Sequence, residues 1–143
     1  MKKIKLIGVI ILIVALCFTL TACGEFEGYD DDNAIWQGGF WSSFSNTTVS
    51  REDFYSLKTR KSNGVKGIRE ITVPENPIFD MTFSFEEGRA KVVLAKDKTI
   101  YLICDEMTKG PVSIELPAGT YHLLLVAENA TRLNFTFQFN SYQ

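Results

Sequence analysis

His122 is the single histidine in a chain of 143 residues, so any imidazole chemistry must pass through it. A metal site would need partners at ligand spacing, and neither a second histidine nor a cysteine pair accompanies it. A serine nucleophile would need a shaped elbow, and no glycine pattern of that kind surrounds any serine. Carboxylates occur as the adjacent pairs Glu52-Asp53, Glu86-Glu87 and Asp105-Glu106. Glycoside hydrolysis needs two carboxyls set across a cleft, which adjacency does not supply. Each pair falls at an expected turn or strand end, where acids are simply solvated. These residues predict no enzyme, no metal and no cofactor. The aromatic cluster Trp36, Phe40, Trp41 and Phe44 is the best candidate for a ligand surface. Exposed aromatic rings stack on sugars or anchor protein partners through large, low-entropy contacts. Packing in a phenylalanine-rich core is the competing role.

The elements that must position these residues have a period of two from residue 68 onward. Phe79, Met81, Phe83 and Phe85 alternate with polar residues, as do Ala90, Val92 and Leu94, then Val112, Ile114 and Leu116, then Leu133, Phe135, Phe137 and Phe139. The runs 99–104 and 120–127 are apolar on both faces, which predicts central strands. Glu86-Glu87-Gly88, Lys96-Asp97-Lys98 and Pro117-Ala118-Gly119 supply turns between strands. Lys61-Ser62-Asn63-Gly64 predicts a further hairpin turn, between strands at 54–60 and 68–73. The basic residues Lys58, Arg60, Lys61, Lys66 and Arg69 would then form a charged tip that limits edge pairing, with contact to an anionic surface as the alternative. Trp36, Phe40 and Phe44 suit a helix or a strand equally. The expected fold is all-β, an antiparallel jelly-roll-like β-sandwich of seven to nine strands.

Before this domain, Lys2, Lys3 and Lys5 precede an apolar run from Leu6 to Leu20. About 15 residues are too few to span a bilayer core, which takes roughly 20, but they match a signal-peptide segment. The tetrapeptide Leu20-Thr21-Ala22-Cys23 that follows resembles the lipobox of bacterial lipoproteins. That resemblance implies a cut after Ala22, acylation of Cys23, and attachment through lipid to the extracytoplasmic face of the cell membrane. Residues 1–22 are thus read as a signal peptide, residues 23–35 as a lipidated cysteine and acidic tether, and residues 36–143 as the β-sandwich domain. Loss of the signal removes three of 15 basic residues, leaving 12 against 17 acidic and a formal charge of −5. Such a balance argues against nucleic acid as a partner. Cys104 is then the remaining thiol, and its place at the end of an apolar run predicts packing without a disulfide.

The segment Pro117-Ala118-Gly119-Thr120-Tyr121-His122-Leu123, followed by an apolar strand and a terminal alternating strand, resembles the end of jelly-roll-like domains in small lipoproteins of Gram-positive bacteria. Pre-peptidase C-terminal domains are similar in their Pro-x-Gly-x-Tyr-x-Leu corner. The resemblance implies a sandwich and no particular chemistry. The combined expectation is a surface lipoprotein acting as a non-catalytic binding module for an envelope glycan or surface protein. A structural accessory subunit or an envelope hydrolase using His122 are the alternatives.

Overall fold

The computed structural model describes residues 26–139. The expected signal segment and Cys23 lie outside the described residues. A short helix, α1 (Asp32–Gln37), precedes seven strands: β1 (Trp41–Ser50), β2 (Phe54–Val73), β3 (Ile78–Ser84), β4 (Arg89–Lys96), β5 (Thr99–Cys104), β6 (Thr108–Ser113) and β7 (Gly119–Gln138). Every pairing is antiparallel, and the domain is all-β and sandwich-like, as the alternation predicts.

Two strands of 20 residues form its spine. β2 and β7 pair from Phe54↔Gln138 to Val73↔Gly119. On its other side β7 pairs first with β4, from Glu128 to His122, and then with β3, from Gln138 to Asn134. β1 flanks β2, β6 flanks β3 and β5 flanks β4. Both ends of β7 turn their odd-numbered residues, Tyr121, Leu123 and Leu125, then Leu133, Phe135 and Phe137, into one core with Leu57, Phe79, Phe83, Val92 and Leu94. Phe79, Phe83, Phe135 and Phe137 are fully buried, each contributing about 1.5–3 kcal/mol. Among the described residues that burial holds the fold without a disulfide, Cys104 being free.

The expected hairpin turn at Lys61–Gly64 is not a turn. The chain runs straight on through β2, and the glycine and asparagine serve a bulge between Ser62 and Gly64. Gly64 has φ +112, and a Cβ there would stand 2.1 Å from the Phe40 carbonyl oxygen. β7 likewise merges two expected strands, with left-handed residues Asn129 and Arg132 at the join. The Asn63 side chain accepts from the Asn129 amide at 3.3 Å, tying the two irregularities together. Irregular residues of this kind bend a strand without ending it. The basic residues therefore have no tip to occupy. Lys58, Arg60 and Lys61 lie where β2 runs between β1 and β7, and Lys66 and Arg69 lie where, among the described residues, it pairs with β7 alone.

β5, expected to be central, pairs with β4 alone. Its second apolar face is covered in part by the N-terminal segment, at Ile100, while Leu102 stays half exposed. Ile100 packs on a second cluster of Tyr29, Ile35, Val65, Val93 and Val126. Part of the acidic tether expected over residues 23–35 is docked on the domain, with Tyr29 and Ile35 buried. Asp31 caps α1, its carboxylate accepting from the amides of Asn33 at 2.9 Å and Ala34 at 3.3 Å. Six residues cannot hold a helix alone. Docking of Ile35 does so here.

Candidate functional site

The aromatic residues singled out in the sequence fall into two groups. Trp36 sits on α1, half-buried, its ring edge-on to His122 at 6.3 Å. His122 shares its strand parity with Leu124 and Val126, so Trp36 belongs to the helix-covered face. Trp41 opens β1 opposite Gly64 and packs half-buried against the main core, with the Lys66 ammonium 5.9 Å from its ring. Phe40, beside it, is 48% exposed, and Phe44 is 67% exposed. The Phe40 carbonyl accepts from the Val65 amide at 2.6 Å, which fixes the backbone of that link while the ring faces water. Phe40, Trp41 and Phe44 thus lie close along the chain at the start of β1, with Trp41 turned toward the core and the two phenylalanine rings toward water, and Trp36 lies apart.

His122 occupies a shallow hollow lined by Gly67, Ile68, Arg69, Glu70, His122, Leu123 and Leu124. The bulge between Gly67 and Arg69 opens it. His122 Nε2 is 3.8 Å from Glu70 Oε2, and both side chains are more than half exposed. Arg69 is held away by donating to the Glu52 and Arg51 carbonyls, each at 2.6 Å. The hollow therefore offers an imidazole and a carboxylate, and its lining holds no hydroxyl or thiol. Tyr121, the neighbour of His122, turns inward, and its hydroxyl donates to the Pro117 carbonyl at 2.7 Å. The corner motif is a packing device.

Two arrangements escaped the sequence reading. One is a charged clasp on the N-terminal arm. Arg89 lies over the Tyr29 ring at 4.1 Å and bonds Asp30 at 2.9 Å and Glu128 at 2.6 Å. The hydrogen bond from Arg89 lowers the Asp30 pKa, while burial pushes the Tyr29 phenol up to about 12. The other is β1 itself. None of Trp41–Ser50 is charged, and from Phe44 onward every residue is exposed. Beside it on β2, Lys58 and Lys61 stand opposite Thr47 and Phe44, with Arg60 between them. The available signal was the contrast between a charge-free run and the basic stretch that follows it.

Cys104 is buried, and burial pushes its thiol up to about 12, which makes it an inert packing residue. Among the described residues no group of three or more His, Cys, Asp or Glu could hold a metal ion. No helix among them is long and apolar enough to cross a membrane. No protein-family model and no curated protein matches this chain.

Proposed function

We propose that this chain is a surface lipoprotein, held to the extracytoplasmic face of the membrane through lipid on Cys23. In this reading its domain is a non-catalytic module that binds an envelope glycan or a surface protein. The observation that carries the binding role is the exposure of Phe40 and Phe44 beside the half-buried Trp41. Large apolar rings left in water on a strand that buries little else contribute almost nothing to the fold, and they are the side chains that dominate interfaces. The Leu20–Cys23 sequence supports the anchor. An accessory subunit of a surface assembly would use the same rings against a fixed neighbour. A hydrolase is the weaker reading, because His122 has a carboxylate near it and no nucleophile in its hollow.

The test uses the full chain in detergent micelles, bound to purified cell-wall fragments and to solubilised surface proteins. Phe40→Ala and Trp41→Ala are expected to weaken binding at least tenfold with the circular dichroism spectrum unchanged, and Trp36→Ala less. Unchanged binding in all three removes the site. Loss of labelled-acyl incorporation in Cys23→Ser tests the anchor separately.

A further inference from the structure

Among the described residues the outer strands β6, β5 and β1 each pair with one neighbour, and two of them are guarded. β2 beyond Gly64 also lacks a second neighbour there, and it carries the charges of Lys66, Arg69 and Glu70. β6 carries Lys109 and Pro111, a charge and a missing donor that both oppose pairing with another chain. β5 is six residues long and has α1 packed against it. β1 has neither defence. It is ten residues long, without proline or charge, and among the described residues it pairs with β2 alone. Ser45, at φ +51, interrupts the ladder opposite Arg60. It leaves Asn46–Ser50 as an unbroken, exposed run. Alternate residues of such a run aim their amides and carbonyls away from β2, toward water.

We propose that the free edge of β1 accepts an extended, acidic segment of a partner protein as an eighth strand. This rests on the reading of the domain as a binding module and names the partner's chemistry. An added strand would lie about 4.8 Å from β1 and roughly 10 Å from β2, within a Debye length of about 8–10 Å. Lys58 of β2 shortens that distance by reaching across the small Thr47 opposite it. Lys58, Arg60 and Lys61 are exposed, and the ion pairs among the described residues engage Arg89, Arg132 and His122 instead. Main-chain pairing supplies the hold on the partner, and this basic row selects acidic side chains. A second copy of the chain would set two basic rows on one face and gain no charge complementarity.

The probe is a ten-residue peptide alternating valine and glutamate, titrated into the full chain in micelles and followed by amide chemical shifts. Shifts concentrated at Asn46–Ser50 are expected. N-methylation of alternate peptide amides, replacement of its glutamates by lysine, and the double variant Lys58→Glu/Lys61→Glu should each weaken binding at least tenfold. Shifts centred on the His122 hollow, or binding indifferent to N-methylation, would overturn the proposal. So would a concentration-dependent dimer that Thr47→Lys abolishes while the peptide stays unbound, since β1 would then serve a second copy. If the peptide misses β1 while Phe40→Ala still abolishes envelope binding, the edge proposal fails and the binding module stands. Peptide seated on β1 with envelope binding indifferent to every aromatic variant gives the reverse.

Discussion

The two ends of the main sheet solve opposite problems. At one end β6 backs onto β3, its Val112 packs against the core, and its exposed edge carries Lys109 and Pro111. At the other end β1 commits Trp41 to the core and little else, and its edge is bare. A strand that buries almost nothing adds little stability, because burial and not main-chain pairing alone sustains an edge strand. The difference separates a guarded sheet edge from one left open among the described residues.

The sharpest way to break this comparison is to unseat β1. Gly64→Ala drives a Cβ against the Phe40 carbonyl at a backbone angle unsuited to side chains. A loss of about 2–4 kcal/mol is expected, with hydrogen-exchange protection falling first at Trp41–Phe44. Gly110→Ala on β6 has a similar φ of +103 with nothing within 4 Å, so it should cost only about 1–2 kcal/mol. Equal losses in denaturant melts would erase the distinction.

Alkaline pH offers a second test, since β3 and β6 carry no tyrosine. Burial pushes the phenols of Tyr29 and Tyr55 up to about 12 from 10.0. A raised pKa on an acid means the folded state holds its proton longer than the unfolded state. Stability is therefore full below pH 10 and falls as pH rises from 10 through 12, by up to about 1.4 kcal/mol per pH unit for each phenol. The buried Tyr55 hydroxyl has no hydrogen-bond partner among the described residues. Tyr55→Phe should shrink the alkaline loss and leave stability at pH 7 unchanged or higher in thermal melts.

A smaller effect is expected at the third edge. Asp31→Ala removes the cap of α1, the helix that lies against β5, and should cost about 1 kcal/mol or less. Urea midpoints would read it. The least effect on stability comes from stripping the guards of β6. Lys109→Thr with Pro111→Thr should shift the melt little but raise self-association in sedimentation, and a strictly monomeric result would mean the guards are idle.

Much of this was legible in the chain because the main core faces alternate strictly. Phe79, Met81 and Phe83, or Phe135 and Phe137, announce both a strand and its buried side. The errors share one cause, which is that local turn chemistry is read without its tertiary partner. Asn63-Gly64 has the composition of a hairpin, but the Phe40 carbonyl waiting beside Gly64 and the long β7 ladder make it a bulge in β2. Acidic residues from Glu25 to Asp32 look soluble, and Arg89, some sixty residues away, recruits Asp30 onto the sheet. Trp36 and Trp41 are close in sequence, yet α1 and β1 carry them to different faces. The openness of β1 could not be read at all, because an edge is defined by which strand is missing from its far side.

The docking of the N-terminal arm has a consequence for reach. A solvated leash from Cys23 to residue 35 would let the domain roam through about 40 Å of the space above its anchor. Phe26 already packs against the second cluster, so with lipid on Cys23 as proposed only the two residues Gly24 and Glu25, a span of at most about 10 Å, would separate the lipid from the folded body. Under the proposed anchoring, such a protein would not fish at a distance. It would ride on the headgroups with a restricted swing, and whatever it captured would have to come down to the membrane to be met.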